Sequence, residues 1–268
     1  MQRRNLFCIG FIIYHPEPSL VSRIEMCLKE GYKCYVFDNT PDQSVIRNKF
    51  KNSENFYYCT PGKNLGLGVG MSMINSMAYY DGFQNLLFFD QDTGFSIETL
   101  NFVEKFIKSS HYDPSKYSSV VFNSKNSETK QKFVIREVFL SISSGSLFLL
   151  KNLKKIGFHN ESFFVDCVDY EFCLNSYNHH FKTLECSNTE GFDHVTEQAD
   201  KPYSFFGKTL MLRVYPIKRV TGTILAYLKL IITTIKTFNF KYFYLLSRSA
   251  IIYIMFQILA RILTIFKK

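Results

Sequence analysis

Between residues 6 and 125, short β-rich runs alternate with helical stretches, and this alternation constrains the fold more than any other feature of the chain. Strand, helix and strand in succession are typical of βαβ units, which build mostly parallel sheets. The predicted strands are Phe7–Ile13, Lys33–Phe37, Asn55–Cys59, Leu86–Phe89 and Ser119–Asn123. The predicted helices are Pro18–Glu30, Gln43–Phe50, Gly68–Tyr80 and Ser96–Ser109. We therefore expect an α/β fold with a mostly parallel central sheet.

The second half of the chain departs from this pattern. Residues 133–150 are typical of antiparallel strands, and a helix (Val168–Tyr177) and a strand (Phe181–Cys186) follow. The composition then changes at Lys201-Pro202. We expect one domain over residues 1–200 and a separate tail over residues 201–268.

The tail carries the whole basic excess of the chain, with twelve Lys and Arg and no Asp or Glu, against a net charge of +9 overall. Basic residues recur among Leu, Ile, Phe and Tyr, which predicts amphipathic helices on an anionic membrane surface, in preference to nucleic acid binding. The longest charge-free run, Ser249–Ala260, is about half of the roughly 20 apolar residues that cross a bilayer. We expect the helices to lie in the interface; the alternative is that they pack on the first domain or on a partner subunit.

Cysteine usage indicates the compartment. Seven Cys residues form no CxxC pair and have mostly apolar neighbours, which is typical of reduced, buried thiols in a cytosolic protein. The apolar run Leu6–Tyr14 is interrupted by His15-Pro16-Glu17 and lacks a small-residue cleavage site, so we interpret it as a strand and not as a signal peptide. With the basic tail, this predicts a peripheral protein at the cytoplasmic face of the inner or plasma membrane.

Polar residues follow three predicted strands, namely Asp38-Asn39, Thr60–Asn64 and Asp90-Gln91-Asp92. Ligands of open α/β sheets bind outside the carboxyl ends of the strands, so these loops should meet at one crevice. Two carboxylates separated by one residue can reach one divalent cation, because Mg²⁺ and Mn²⁺ prefer oxygen ligands. The alternative is an ordinary surface turn.

A glycine-rich loop, residues 61–70, opens the predicted third helix. Glycines allow backbone amides to approach a phosphate, and a helix N-terminus favours negative charge. The spacing does not fit the dinucleotide-binding fingerprint. The alternative is that the glycines serve only tight turns.

A third acidic cluster comprises Asp166, Asp169 and Glu171, which lie among apolar residues. Burial would raise the pKa of such a carboxylate and suit it to act as a base. Capping of the following helix by Asp166 is the alternative. His194 could add a neutral imidazole ligand to a metal site, although a lone His is more often structural.

Five segments, taken in order, resemble the family 2 glycosyltransferases with a GT-A fold: Val36–Thr40, Lys63–Gly68, Phe88–Thr93, Ser144–Leu147 and Phe164–Leu174. The Asp-Gln-Asp form and the Asp-x-x-Asp-x-Glu run are most similar to bacterial rhamnosyltransferases of O-antigen and surface polysaccharide synthesis. The resemblance covers roughly residues 5–200 and implies a nucleotide-diphospho-sugar transferase fold.

The resemblance also implies roles for individual residues. It places Asp38, Asn39, Asn64, Gly66 and Asp90 around the nucleotide-sugar donor. Asp92, with His194, would hold Mg²⁺ or Mn²⁺, and Asp169 would be the catalytic base. Asp166 and Glu171 would contact the acceptor or orient the base.

These roles imply an inverting, metal-dependent transfer of a sugar such as L-rhamnose. The donor would be dTDP-rhamnose or a UDP-sugar, and the acceptor a polyprenyl-diphosphate-linked saccharide. The alternatives are a galactofuranosyl or other hexosyl transferase, and a non-catalytic saccharide- or nucleotide-binding scaffold at the membrane. Sequence leaves the oligomeric state open, with a homo-oligomer among the choices.

Overall fold

An eight-stranded sheet, counted over the described residues, organises the first of the two units into which the chain divides, Met1–Val195 and Thr196–Lys268. The structure is a computed structural model, and it describes residues 6–42, 45–124, 134–190, 192–194, 201–205 and 208–265. The two units are described separately below.

The first unit begins with alternating strands and helices, as predicted. In chain order these elements are β1 (Cys8–Ile13), α1 (Pro18–Lys29), β2 (Cys34–Asp38), α2 (Val45–Phe50), β3 (Phe56–Cys59), α3 (Gly66–Tyr80), β4 (Asn85–Asp90), β5 (Thr93–Gly94), α4 (Ile97–Ile107) and β6 (Tyr117–Phe122). The later elements are β7 (Val134–Val138), β8 (Ser146–Leu149), α5 (Leu150–Ile156), α6 (Val168–Asn178), β9 (Lys182–Ser187) and β10 (Asp193–His194).

The strand order is β3-β2-β1-β4-β8-β6-β9-β7. Strands β1 to β4 pair in parallel, and so do β6 and β9. β8 is antiparallel to both β4 and β6, and β7 is antiparallel to β9. The predicted α/β class with a mostly parallel sheet is confirmed, and the antiparallel strands come from residues 133–150 as expected.

Strand β1 is buried at all six positions, as expected for a central strand with helices on both faces. Alternate side chains point to opposite faces. Ile9 and Phe11 belong to one hydrophobic cluster, which α1 and α4 complete, whereas Cys8 and Ile12 belong to another, which α3 and α5 complete. The first unit is therefore a three-layer arrangement with the sheet in the middle.

Several helix boundaries differ from the sequence prediction by one or two residues, and one helix has no predicted counterpart. α3 begins at Gly66, two residues before the predicted start, and α5 has no counterpart among the predicted helices. The signals for α5 are Leu150, Leu153 and Ile156, which are spaced for one buried face, and Gly157, which ends the helix with a φ of 87°. Because this segment is only seven residues long and follows β8 directly, its sequence pattern does not distinguish a helix from a continuation of the strand.

The second unit consists of the hairpin β11 (Lys201–Phe205) and β12 (Lys208–Leu212), then α7 (Ile217–Lys236) and α8 (Phe240–Ile265). The two helices pack together, and the Tyr227 hydroxyl lies 2.9 Å from the Ser249 hydroxyl. Within the described residues, Phe240–Thr264 is long and apolar enough to cross a membrane, with a mean hydropathy of 1.6. The charge-free run Ser249–Ala260 underestimates the length of this apolar helix. Isolated charges interrupt the helix, although it is apolar on average.

Candidate active site

Three of the predicted loops meet at the carboxyl edge of the parallel strands. β1 lies between β2 and β4, with Ile13 opposite Asp38 and Ile12 opposite Asp90. Neighbouring strands are about 4.8 Å apart, so Asp38 and Asp90 lie on either side of the end of β1. This places the loops after β2 and β4 on one crevice, as the sequence predicts.

The loop after β3 is joined to the loop after β2. The Asn39 side chain accepts a hydrogen bond from the Leu65 amide (2.8 Å) and donates one to the Gly66 carbonyl (3.1 Å). The Asn64 side chain accepts from the Gly66 amide (2.9 Å). These hydrogen bonds therefore join the two loops at the start of α3, in one cluster of Asn39, Asn64 and Gly66.

Asp38 is fully buried, and its carboxylate is held by neighbouring groups. It accepts hydrogen bonds from the Thr40 amide (2.8 Å) and the Tyr58 hydroxyl (2.6 Å). Tyr58 is half-buried at the same edge and was not among the predicted site residues. Asp38 thus orients Tyr58 beside the donor crevice.

The glycine-rich loop packs closely against residues 160–164, which precede α6. Gly66 has a φ of 88°, and a Cβ there would lie 2.2 Å from the Phe164 carbonyl oxygen. A Cβ at Gly68 would lie 2.3 Å from the Phe163 carbonyl oxygen. The Leu67 amide donates to the Phe164 carbonyl (2.5 Å). These contacts need glycine and connect the loop to the segment that leads to Asp169.

The Asp90-Gln91-Asp92 loop is anchored by residues without predicted roles. The Tyr14 amide donates to Gln91 Oε1 (2.7 Å), and the Arg23 guanidinium donates to the Gln91 carbonyl. The Ser144 hydroxyl accepts from the Asp90 amide (3.1 Å). Burial lowers the pKa of Arg23, and the charge of Asp92 opposes this effect, so the Arg23 cation lies near the Asp92 carboxylate.

Ser144 begins Ser144–Leu147, one of the five segments that carry the family resemblance, but the resemblance assigns no role to Ser144 itself. Its hydroxyl also bonds to the Thr93 hydroxyl (2.6 Å), and the next residue, Gly145, has a φ of 79°. A Cβ at Gly145 would lie 2.4 Å from the Phe122 carbonyl oxygen. The small side chains therefore allow this segment to pass close to the end of β4. The sequence feature that could have indicated a functional role is the pair of adjacent serines, Ser143 and Ser144, before Gly145.

Asp169 lies in the first turn of α6, and the Ser143 hydroxyl donates a hydrogen bond to its Oδ1. Phe172, one turn later, stacks on the buried His159 ring at 4.6 Å between centroids and packs against Phe148 of β8. This packing fixes the start of α6 against the sheet. Asp169 is thereby held at the same edge as the β4 loop.

The carboxylates at this edge influence one another. The pKa of Asp90 is raised to about 7, first by burial and then by the negative charges of Asp169 and Asp92. The pKa of Asp169 is raised to about 6 by burial, which the hydrogen bonds from Ser143 partly oppose. The carboxylates of Asp90 and Asp92, from one loop, and of Asp169, from α6, are therefore close enough to interact.

Asp166 and Glu171 lie on either side of the helix start. α6 begins at Val168, with Cys167 as N-cap residue at a φ of 65° and no side-chain cap, so the interpretation that Asp166 caps the helix is wrong. The left-handed backbone at Cys167 separates Asp166 from the helix, so Asp166 and Asp169 do not share a helical face. Glu171 accepts a hydrogen bond from Asn160 (3.2 Å), beside the glycine-rich loop.

The carboxylate cluster suits a hard divalent cation, because its oxygens are the ligands that Mg²⁺ and Mn²⁺ prefer and because the charges are mutually repulsive. Among the described residues, no group of three or more His, Cys, Asp or Glu side chains is arranged to hold a metal ion. β10 pairs with β5, so that His194 lies opposite Thr93, next in sequence to Asp92. The His194 side chain lies outside the described atoms.

Comparisons with known proteins agree with this geometry. No family model matches the chain. A curated dTDP-rhamnosyl transferase, RfbF of Shigella flexneri, is 24% identical over 195 residues, which are 65% of this chain and 64% of that protein. The matched region thus spans less than two thirds of the relative's length.

Solved structures show the same fold. Residues 1–349 of S. aureus TarS in complex with UDP-GlcNAc superpose with a TM-score of 0.53 and 16% identity, over 84% of this chain and 66% of that one. GalNAc-T7 with UDP, GalNAc and Mn²⁺ gives a TM-score of 0.51 and 10% identity, over 73% of this chain and 46% of that one. The GT-A fold and the resemblance to enzymes that are glycosyltransferases are confirmed.

Proposed function

We propose that the chain is an inverting, metal-dependent glycosyltransferase that moves a deoxyhexose such as L-rhamnose from a dTDP or UDP donor to a lipid-linked saccharide, in O-antigen or surface polysaccharide synthesis. The observation that carries this proposal is the convergence of Asp90, Asp92 and Asp169 at the carboxyl edge of a GT-A sheet. The match to a dTDP-rhamnosyl transferase supports the donor class. The likeness to TarS with UDP-GlcNAc supports a nucleotide-sugar.

Asp92, with His194 next to it across β5 and β10, would hold the cation. When bound, a divalent cation neutralises the charge that develops on the departing diphosphate. Mn²⁺ in the GalNAc-T7 structure supports this cofactor class. Arg23 fixes the backbone of the loop and adds a positive charge beside Asp92.

Asp169 would act as the base. The Ser143 hydroxyl occupies Oδ1, which leaves Oδ2 for the acceptor hydroxyl. As the acceptor oxygen forms its bond to the anomeric carbon, the bond from that carbon to the diphosphate oxygen breaks, and the acceptor proton passes to Asp169. A pKa of about 6 keeps Asp169 ionised at neutral pH and makes it a stronger base than an exposed Asp.

Asp90 would bind the donor. With a pKa of about 7, its carboxyl is partly protonated near neutrality and can donate as well as accept a hydrogen bond to a ribose or sugar hydroxyl. The cluster of Asn39, Asn64 and Gly66 lies on the other side of β1 and would contact the nucleotide. The donor would thus extend across the ends of β2, β1 and β4.

Replacing Asp92 with alanine is expected to lower donor turnover at least about 100-fold, because cation stabilisation of the leaving group supplies several kcal/mol. The measurement is nucleoside diphosphate release from dTDP-rhamnose and a panel of UDP-hexoses, with Mg²⁺ or Mn²⁺ and after chelation. Glu54→Ala, an exposed acidic residue at the amino end of β3, is the control and should match the wild type.

Full turnover by Asp92→Ala would contradict the site. Turnover only with a UDP-hexose would favour the galactofuranosyl or other hexosyl alternative. Cation-dependent donor binding by the wild type with no turnover on any acceptor would favour the scaffold.

We further propose that the second unit binds the cytoplasmic membrane surface. α7 and α8 expose large apolar side chains, among them Leu225, Ile232 and Ile251, and residues 201–268 contain no Asp or Glu. Such helices bind anionic lipid through both apolar contact and charge. The protein should co-sediment with phosphatidylglycerol vesicles and be released by high salt. Retention in membranes through high salt and alkaline extraction would contradict a peripheral arrangement and indicate that α8 spans the bilayer.

A further inference from the structure

A cavity of about 340 Å³ lies at the start of α6, on the half of the sheet away from the donor loops. Its walls come from the end of β6, the connection between β7 and β8, Tyr170 of α6 and Glu185 of β9. In the strand order, β8 separates β4 from β6. The loops expected to bind the donor follow β2, β3 and β4, so the cavity faces the carboxylate cluster from the opposite side.

Two wall residues of the cavity lie close in sequence to the proposed base or to its hydrogen-bond donor. Tyr170 lines it and follows Asp169 directly. Ser141 also lines it, bonds to Cys173 of α6 (3.4 Å) and lies two residues before Ser143, which donates to Asp169. The residues on either side of the Ser143–Asp169 hydrogen bond thus border the cavity.

The polar wall of the cavity is a held carboxylate. Glu185 is 6% exposed, and its Oε1 accepts a hydrogen bond from Asn123 Nδ2 (2.7 Å). Its Oε2 accepts from Arg136 Nε (2.9 Å) and Nη2 (2.8 Å). Arg136 and Asn123 thus fix the orientation of the carboxylate, whose oxygens can accept further hydrogen bonds.

The remaining walls are apolar or aromatic and include Leu140, Ile142 and Phe192. Apolar walls with a few placed polar groups are typical of small-molecule pockets, and the volume lies at the lower end of their usual range of about 300–1,000 Å³. A neutral sugar ring suits this lining, since its C–H face packs on apolar groups and its hydroxyls donate to a carboxylate. An anionic group would meet the carboxylate of Glu185.

We propose that this cavity binds the sugar ring of the acceptor that receives the transferred residue, and that Glu185, oriented by Arg136 and Asn123, selects an uncharged ring. The inference rests on the proposed glycosyltransferase function and deepens it. It assigns acceptor selection to Glu185 of β9, whereas the family resemblance implies Asp166 and Glu171.

The test is direct binding of p-nitrophenyl glycosides of neutral hexoses and 6-deoxyhexoses to the full-length protein, measured by saturation-transfer NMR, with p-nitrophenyl glucuronide as the anionic probe. Glu185→Gln is expected to weaken binding of the neutral glycosides at least about tenfold, because a hydrogen bond to a charged acceptor is stronger than one to a neutral amide. Tyr170→Ala is expected to weaken it to a similar extent, because the aromatic wall of the cavity is lost. Glu137→Gln is the matched control. Glu137 lies on β7 and pairs with Lys116 and Lys182, and none of these three residues lines the cavity.

Thermal unfolding of each variant shows whether the fold is kept, and Tyr170→Ala serves where Glu185→Gln is unfolded. Neutral-glycoside binding that Glu137→Gln keeps and the cavity variants lose supports the inference. Binding equal in all variants, stronger binding of the glucuronide, or no binding of any neutral glycoside to the wild type overturns it. Donor turnover, measured separately, decides the proposed function, so each can fail without the other.

Discussion

Replacing Asp169 with asparagine is expected to lower the rate of sugar transfer by about 10²–10⁴-fold, the usual contribution of a general base. Asparagine keeps the shape of the side chain, and its carbonyl oxygen can still accept the hydrogen bond from Ser143. The amide cannot take the acceptor proton. The measurement is transfer to acceptor at saturating donor, with thermal unfolding to show that the fold is retained.

The same residue predicts a pH dependence. Burial raises the pKa of Asp169 to about 6, so the base is protonated below that pH and ionised above it. The value of kcat/KM should therefore rise through pH 6 and level off toward neutrality. Ser143→Ala removes the hydroxyl hydrogen bond, the larger of the two Ser143 hydrogen bonds that lower this pKa, and keeps the backbone one, so the rise should move to higher pH. Asp90, with a pKa of about 7, titrates nearby, and Asp90→Asn should keep the rise that belongs to Asp169.

Near wild-type transfer by Asp169→Asn would exclude Asp169 as the base. A wild-type profile without a rise near pH 6, or a Ser143→Ala profile that moves to lower pH, would contradict the electrostatic account of the site.

Alanine at Gly66 or Gly68 is expected to cause the largest loss of folding stability and, with it, of donor affinity. At Gly68 the added Cβ meets two carbonyl oxygens, Phe163 at 2.3 Å and Asn160 at 2.7 Å, and overpacking of this kind costs about 1–3 kcal/mol. At Gly66 the Cβ lies 2.2 Å from the Phe164 carbonyl oxygen, and the φ of 88° adds about 1–2 kcal/mol.

Gly62→Ala is the matched control. Gly62 lies in the same loop with a φ of 69°, but nothing lies within 4 Å of an added Cβ, so this variant carries only the backbone strain. Urea unfolding and donor binding by calorimetry measure both effects. Donor affinity should fall in the order Gly62, Gly68 and Gly66, because the clashes push the loop away from the segment before α6. A Gly68→Ala variant as stable as the wild type would contradict this packing.

Part of the fold could be predicted because it depends on local patterns. β1 reads as a buried strand from its apolar run, and α4 is preceded by Ser96, whose side chain forms a capping box with Thr99. α5 could not be predicted in the same way, because its seven residues form only two turns and follow a strand directly, which is too short a segment to establish a helical period. The left-handed backbone at Cys167 lies in a Val-Asp-Cys-Val run that lacks glycine or asparagine, and therefore carries no local signal.

The candidate site shows the same division. The carboxylates of Asp90, Asp92 and Asp169 are visible as acidic residues after apolar runs, and the glycines of the donor loop are visible as a cluster. Arg23 is different, because it lies in a helix whose pattern explains it as a solvated residue, and its bond to the Gln91 carbonyl spans 68 residues. The roles of Ser143 and Glu185 likewise could not be predicted, because their hydrogen-bond partners, Asp169 and Arg136, are distant in the chain.

The sequence by itself therefore determined the layered α/β fold, the edge at which ligands bind and the residue types that can do chemistry there, because periodicity, burial and turn propensity act over a few residues. Only the tertiary structure decided that β8 inserts between β4 and β6, that Asp169 acts on the pKa of Asp90, and that a cavity with a held carboxylate lies behind the base. These features depend on contacts between segments that are tens of residues apart. A local sequence pattern does not contain the free energy of such contacts.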